Sequence, residues 1–468
     1  MSPETIDSFV SDSLKPLVQR LLEHSEQNAR LLARIDELLE QNKSLLARIA
    51  ELEARGGKPP KSPTNSSKPP SAAPKANTAP PSPVKKGRKG RPGVARALCP
   101  SPDVVNNIYA EQCSCGTALT ASDQSLAHAY DHIDLPVIKP VTTRINLHKA
   151  ICPCCKKRVA AKPPASMAPG SPFGPGIAAT VAYLHGCQMV SYNRLVEAMD
   201  GLFELKLSEG AIANMLARTA ASCSPEAEKI AAIVRASSVI ASDETSARVS
   251  GKTCWQWVFA AATAVYHTIQ PSRGKRVPVE FLAGATPDVW MSDRLAAQAT
   301  HAAQHQVCLA HLIRDAQYAI DAGDTVFAPL FKAFLLHVCG IGRRRSDLSD
   351  ADLARAARQN IRRLDRLLEL KANQTEGRHL RDAIEVRARD KLLVFLTRRD
   401  VDPTNNVSER ALRPSVIFRK VTNGFRSSWG ATAHADLRSI VATGQIKGRS
   451  ALASLRAALA SAPSAAAA

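Results

Sequence analysis

Residues 238–245 read Ser-Val-Ile-Ala-Ser-Asp-Glu-Thr, a short apolar run that ends in an acidic pair. A second apolar run, Val-Trp-Met at 289–291, leads in the same way into Asp293. Between them, residues 255–269 hold two further strand-like runs. Short runs rich in β-branched and aromatic residues are typical of β-strands. The sequence therefore predicts a sheet in which two strands end at Asp243 and at Asp293.

A third carboxylate, Glu409, lies at the opening of a predicted helix that Thr404 or Asn405 caps. Two aspartates on neighbouring strands and a glutamate on a packed helix concentrate negative charge, which is tolerated mainly where divalent cations bind. Mg²⁺ prefers oxygen ligands, and two such ions can clamp the attacking and leaving oxygens of a phosphodiester. Taken singly, each carboxylate is more often a cap or a surface charge. Glu244 is an alternative ligand, although a strand directs it to the face opposite Asp243.

The composition sets the class of protein. The chain has 468 residues, enough for about three domains, and a net charge of +20 that indicates polyanionic partners such as nucleic acid. Its hydrophobic fraction of 45% and charged fraction of 22% are typical of globular proteins. It has neither an apolar run of about 18 residues nor the basic and apolar regions of a signal peptide, which predicts a cytoplasmic protein. In that compartment its 11 cysteines are metal ligands or buried residues rather than disulfides.

Residues 1–56 carry a heptad pattern, and the sequence predicts a leucine-zipper coiled coil there. Asn28 and Asn42 occupy two a positions, where asparagine favours a parallel dimer. An amphipathic helix packed on its own protein is the alternative. The d positions form what we call the leucine stripe, which comprises Leu31, Leu38, Leu45 and Leu52.

Residues 57–98 hold ten prolines and ten lysines or arginines without an acidic residue, so we expect a basic Pro-rich linker. Part of it resembles the AT-hook, which lies in the minor groove of DNA. A merely solvated basic tether is the alternative interpretation. The linker residues assigned to DNA binding are Lys85, Lys86, Arg88, Lys89 and Arg91.

Two short cysteine motifs lie within residues 99–165, here called the cysteine module. Four thiolates surrounding Zn²⁺ tetrahedrally form a closed structural site that replaces a hydrophobic core. Cys154 or Cys99 can substitute for one ligand, and buried or free cysteines without metal are the alternative. The predicted ligand set is Cys113, Cys115, Cys152 and Cys155.

The remaining segments read as helix or tail. The apolar pattern of residues 166–235 predicts a helical connecting or DNA-binding region, and that of residues 310–400 predicts an almost wholly helical segment. The Ala/Ser-rich residues 451–468 predict a disordered tail. In the helical region, Cys308 and His311 form a Cys-x-x-His motif, which is more often packing than metal binding, so both are left out of the metal set.

Three stretches carry a family resemblance. Residues 308–315, Cys-Leu-Ala-His-Leu-Ile-Arg-Asp, resemble the Cys-x-x-His block of the IS66-family transposases. Residues 405–414, Asn-Asn-Val-Ser-Glu-Arg-Ala-Leu-Arg-Pro, resemble a second block of that family, and the similarity continues through 419–431. Residues 133–155, from Ile-Asp-Leu-Pro to Cys-Pro-Cys-Cys, resemble the zinc-binding module that precedes the catalytic region.

The resemblance implies a multidomain α/β protein with an N-terminal coiled coil, a zinc-binding module and a helical region. Its catalytic domain, at 236–450, would be an RNase H-like mixed-sheet core of the DDE type with an α-helical insertion at about 316–400. The implied ligands of Mg²⁺ or Mn²⁺ are Asp243, Asp293 and Glu409, here called the carboxylate trio.

The implied activity is DNA transposition in a bacterial, nucleoid-associated setting: metal-dependent cleavage at the ends of an insertion sequence and strand transfer into target DNA. The protein would act as a homodimer, with accessory proteins of the same element as further partners. The alternatives are a catalytically inactive DNA-binding protein derived from a transposase and a general metal-dependent nuclease. The predicted phosphate contacts near Glu409 are Arg410, Arg413, Arg419, Lys420 and Arg426.

Overall fold

The computed structural model describes residues 15–55, 59–66, 96–164, 167 and 170–461. Within these ranges the chain divides into two compact units, one formed by residues 15–66 and 220–461 and the other by residues 96–219. No helix in the described part of the chain combines the length and the apolar character needed to cross a membrane.

The N-terminal segment is one long helix, α1 (Lys15–Arg55). Its 41 residues span about 60 Å at 1.5 Å per residue. Leu31, Leu38 and Leu45 of the leucine stripe are 55%, 43% and 60% exposed, so they do not pack on their own protein. The side chain of Leu52 lies outside the described residues.

The first part of the predicted linker is not extended. Residues 59–66 form a turn in which Asn65 is buried, because its amide donates a hydrogen bond of 2.8 Å to Asp321. Its side-chain oxygen accepts a bond of 2.7 Å from the backbone of Ser62. These bonds give this stretch a fixed place on the protein.

The unit formed by residues 96–219 begins with the cysteine module, whose regular structure is small. A two-stranded antiparallel hairpin joins β1 (Lys149–Ile151) to β2 (Arg158–Ala160). Two helices follow, α2 (Pro175–Gly186) and α3 (Tyr192–Phe203), and then the start of α4 (Glu209–Arg235). This confirms the helical character predicted for 166–235 over its described residues.

A five-stranded mixed sheet is the centre of the other unit, as the apolar runs predict. Its strand order is β5-β4-β3-β6-β7, in which the first three strands pair antiparallel and β3, β6 and β7 pair parallel. β3 continues through Asp243 to Val249, so the prediction that this strand ends at Asp243 is wrong. Parallel pairing of residues 239–241 with 289–291 instead brings the middle of β3 level with the end of β6. The strands are β3 (Val239–Val249), β4 (Lys252–Ala260), β5 (Val265–Gln270), β6 (Val289–Ser292) and β7 (Gln304–Val307).

Helices complete this unit. Between β7 and residue 400 the chain is largely helical, and Phe327, Phe331 and Phe334 are fully buried in the core that this region shares with the sheet. The later helices contact the sheet directly, the first of them against β3 and the second against β5. The helices are α5 (Arg276–Leu282), α6 (Leu309–Asp321), α7 (Phe327–Arg343), α8 (Asp350–Leu368), α9 (Thr375–Arg387), α10 (Asn406–Thr422) and α11 (Ser428–Ile446).

The prediction of a disordered tail is wrong for its first eleven residues, which form α12 (Ala451–Ser461). Alanine and leucine are strong helix formers, and Leu455 is fully buried. Gly444 of α11 allows the close packing of α12, since a Cβ at this position would lie 1.9 Å from the hydroxyl of Ser454. Residues 462–468 lie outside the described part of the chain.

Candidate active site

The two aspartates come from adjacent parallel strands. In the register of β3 and β6, Val239 lies opposite Val289 and Ala241 opposite Met291. Continued by two residues, this register sets Asp243 beside Asp293, which follows the last residue of β6. The pairing confirms that the two aspartates come from adjacent strands, with Asp243 inside β3 and Asp293 just after β6.

The start of α10 is tied to the same edge. The side-chain amide of Asn405 donates a hydrogen bond of 2.8 Å to the carbonyl of Ser242, and the hydroxyl of Ser408 donates one of 2.9 Å to the Asn405 side-chain oxygen. The backbone N–H of Asn405 donates to the Sγ atom of Cys308 at 3.2 Å. Glu409, in the first turn of α10, is therefore held near the middle of β3, where Asp243 lies.

Asp243 is close enough to the other two members of the carboxylate trio for their charges to act on it. Burial is the main cause that raises the pKa of Asp243 well above its usual value, and the charges of Glu244, Asp293 and Glu409 add to the effect. Within the described residues, the trio does not by itself bring three carboxylate oxygens within 4.8 Å of one another. Crowded oxygen donors of one sign fit divalent cations such as Mg²⁺, whose charge offsets the repulsion.

Glu244, the alternative ligand, has partners of its own. Its Oε1 atom pairs with Arg273 at 2.9 Å, and its Oε2 atom accepts a hydrogen bond of 2.8 Å from Gln298. Arg273 also lies over the ring of Trp255, at 4.6 Å from the ring centroid. Because both oxygens of Glu244 are engaged, it forms part of the support beside the trio. Sequence reasoning missed Arg273 and Gln298, which are distant along the chain and belong to no motif.

A second group of candidate ligands meets at Glu409. One ligand atom each from Cys308, His311 and Glu409 lies within 4.8 Å of the other two, the only such group of three in the part of the chain that the structure describes. Cys308 is the N-cap of α6, and His311 lies in its first turn. Leaving Cys308 and His311 out of the metal set overlooked this grouping, since the sequence does not show that α6 and α10 meet.

Basic side chains line the approach to Glu409. An open cleft beside it is lined by Asn406, Glu409, Arg410 and Arg413, and both arginines are exposed. Arg419 is different, because its guanidinium donates to the hydroxyl and the carbonyl of Ser246 in β3. Of the predicted phosphate contacts, Arg419 is thus committed to holding α10 on the sheet.

The other predicted contacts fall at the surface or outside the described structure. Lys420 and Arg426 have exposed side chains. The residues assigned to DNA binding in the linker lie outside the described residues; they are Lys85, Lys86, Arg88, Lys89 and Arg91.

The cysteine module brings its predicted ligands together in pairs. A hydrogen bond with Thr117 is the main cause that lowers the pKa of Cys115 to about 7, and Cys113 contributes. The backbone N–H of Cys155 is the main cause that lowers the pKa of Cys152. Among the described residues, the two pairs do not combine into a group of three ligands within 4.8 Å. Each motif closes a tight turn, the second one at the end of the hairpin formed by β1 and β2.

Comparison with known protein families identifies a match. The family described as "Transposase IS66 family" matches residues 170–433, which is more than half of the chain. The match includes the sheet, the helical region that follows it and the carboxylate trio. No curated protein matches the chain significantly.

Proposed function

This chain belongs to the IS66 family of transposases, and from that premise we propose that it cuts and joins DNA at the ends of an insertion sequence. The observation that carries the proposal is the parallel register of β3 and β6, which sets Asp243 beside Asp293, together with the effect of Glu409 on Asp243. Three neighbouring carboxylates from separate elements repel one another and destabilise the folded protein unless they hold cations.

The sheet supports the proposed class of catalytic core. An RNase H-like domain of the DDE type has a mixed sheet whose central strands carry acidic residues, and here the order β5-β4-β3-β6-β7 places β3 at the centre. Glu409 arrives from α10, after the helices α6 to α9. This arrangement favours an insertion of helices between the second aspartate and the glutamate.

Each member of the trio comes from a different element in the proposed reaction. Asp243 would hold metal from the interior of β3, Asp293 from the end of β6, and Glu409 from a helix whose start is fixed by Asn405. Divalent ions held there would activate the attacking oxygen and stabilise the leaving oxygen in phosphoryl transfer on DNA. Arg410 and Arg413 bind the phosphates that flank the scissile bond, since they line the cleft beside Glu409.

The remaining segments serve DNA binding and pairing of the element ends. We assign structural zinc to Cys113, Cys115, Cys152 and Cys155, supported by the close approach of the thiols within each pair. The basic residues of the linker contact DNA non-specifically. The leucine stripe pairs two copies of the chain, supported by its exposure on α1. A dimer holds two element ends at once.

Substitution of two neighbouring acidic residues tests the proposed function. We expect purified protein to cleave element-end DNA in the presence of Mg²⁺ and to form strand-transfer products, which a general nuclease does not form. Asp243→Asn removes a metal ligand and abolishes both activities. Glu244→Gln is the matched control, because glutamine keeps one acceptor oxygen for Arg273 and loses only the bond from Gln298, and it retains cleavage. Full activity of Asp243→Asn would refute the assignment of the trio.

A further inference from the structure

Two buried polar atoms face each other where α6 meets α10. Neither Nδ1 of His311 nor Oε1 of Glu409 has a hydrogen-bond partner in the structure, and both atoms are shielded from solvent. They lie 3.9 Å apart. Buried polar atoms are nearly always paired, so two unpaired ones in contact indicate that a further group belongs between them.

The separation of the two atoms suits a shared metal ion better than a direct hydrogen bond. A hydrogen bond between nitrogen and oxygen spans about 2.7 to 3.2 Å. Two ligands of one tetrahedral ion, at metal distances of about 2.0 to 2.2 Å, lie about 3.4 Å apart. A small adjustment of either side chain brings His311 and Glu409 to that spacing.

Cys308 supplies the third ligand. Its Sγ atom belongs to the group within 4.8 Å and is buried, with the residue only 1% exposed. The N–H of Asn405 donates to this sulfur at 3.2 Å. Burial raises the pKa of this thiol, and the hydrogen bond from Asn405 partly offsets that effect. A bound cation would favour the thiolate, which is the form that binds metal. Thiolate, imidazole and carboxylate together are ligands of Zn²⁺ and related ions rather than of Mg²⁺, which prefers oxygen.

We propose that Cys308, His311 and Glu409 form a second metal site, which binds one thiophilic divalent ion of the zinc class. The ion joins the N-terminus of α6 to the first turn of α10 through Oε1 of Glu409. The other carboxylate oxygen remains for the trio, so the ion also fixes the direction of Glu409. Only this last consequence rests on the proposed function, because binding of the ion does not depend on Asp243 or Asp293.

Cobalt substitution of the full chain tests the site. Metal-free protein is titrated with Co²⁺, and both the thiolate-to-cobalt charge-transfer absorbance and the bound metal per chain are measured. We expect Cys308→Ser and His311→Ala each to bind one equivalent of Co²⁺ less than the wild type. Any Co²⁺ bound by the cysteine module is the same in all these proteins and does not affect the difference. Cys223→Ser removes a buried thiol from α4 and serves as the matched control, with wild-type binding.

Thermal unfolding reports whether each variant folds. If Cys308→Ser does not fold, His311→Ala decides the test, because His311 is only half-buried and is easier to replace. Wild-type cobalt binding by a folded His311→Ala variant would overturn the site. Asp243→Asn separates the two proposals, because we expect it to lose DNA cleavage and keep the full thiolate-to-cobalt absorbance. If Asp243→Asn loses cleavage while Cys308→Ser and His311→Ala bind as much cobalt as the wild type, the second site is refuted and the proposed function is not.

Discussion

The side-chain amide of Asn405 donates a hydrogen bond of 2.8 Å to the backbone carbonyl of Ser242, across 163 residues of chain. Both residues are buried. This bond joins the first residue before α10 to the strand position before Asp243, and it thereby sets the distance between the helix and the sheet edge. The carboxylate trio depends on it although Asn405 touches none of the reacting groups.

Replacement of Asn405 by alanine should therefore separate Glu409 from the two aspartates. We expect Asn405→Ala to lower the free energy of unfolding by about 1 to 3 kcal/mol, because the carbonyl of Ser242 is left buried without a donor. DNA cleavage should fall more than this loss of stability explains. Urea unfolding and cleavage assays at a temperature where the variant is folded measure the two effects. Asn193→Ala, at an exposed position of α3, is the control and should change neither.

The arginines of α10 should divide into two functional types. Each phosphate that a variant no longer neutralises reduces the slope of log affinity against log salt by about 0.9. Arg410→Gln with Arg413→Gln should thus reduce the slope by about twice that amount and leave the melting temperature unchanged. Arg419→Gln should instead lower the melting temperature, because Arg419 holds α10 on β3. Arg362→Gln, an exposed position on α8, is the control, and an unchanged slope in the double variant would contradict the assignment.

Gly424 is required by a close approach of two backbone segments. It has a φ of +107°, and a Cβ there would lie 2.6 Å from the carbonyl oxygen of Arg248 at the end of β3. We expect Gly424→Ala to destabilise the protein by about 1 to 3 kcal/mol from the backbone conformation alone, with the clash in addition. Gly323 has a similar φ of +100° but open space around it, so Gly323→Ala isolates the conformational cost. Equal losses in thermal unfolding would show that the clash relaxes freely.

Asp436 should make stability depend on pH. Burial is the main cause that raises its pKa from 3.8 to about 6, and the hydrogen bond from Ser224 opposes the shift. Between these two pH values the folded protein keeps a proton that the unfolded chain has lost, so this group stabilises the fold at low pH and its contribution falls as the pH rises. Above pH 6, Asp436→Asn should be more stable than the wild type by about 1 to 2 kcal/mol, after allowance for partial solvent screening. Below pH 4 the two should agree, and the exposed Glu369→Gln should follow the wild type throughout.

The leucine stripe should control the assembly state. Leu38→Asp places a charge in the seam of the proposed coiled coil and should yield a monomer in sedimentation equilibrium. Ser44→Asp adds the same charge at an outward heptad position of α1 and should leave the dimer intact. A chain that begins at Gly57 should also be monomeric and should no longer pair two element ends. A dimer that survives this deletion would place the interface elsewhere.

The sheet and its acidic edge could be predicted from sequence because they depend on local patterns. The apolar run before Asp243 and the one before Asp293 each specify a strand. The continuation of β3 to Val249 was missed, because residues 242–246 are all polar and do not read as a strand. Glu409 is different, since a glutamate in the first turn of a helix is common. Only the resemblance of residues 405–414 to a family block singled it out.

Other features depend on contacts between distant segments, which sequence patterns do not contain. The pairing of Glu244 with Arg273 and Gln298 is one example, and the meeting of His311 with Glu409 is another. Arg419 was assigned to DNA because its charge is visible in the sequence, whereas its contact with Ser246 is not. The Ala/Ser-rich composition of residues 451–468 likewise led to the prediction of a disordered tail, although one face of α12 buries Leu455.

The helices between β7 and α10 also determine when activity can arise during synthesis. The segment that carries Asp243 and Asp293 leaves the ribosome before α10 is synthesised. No translation product that stops within the helical region carries Glu409. Such a fragment keeps the leucine stripe and the cysteine module, so on the proposed function it can still occupy DNA and a partner chain but cannot cut. Premature termination would therefore convert this protein from an enzyme into its own competitor.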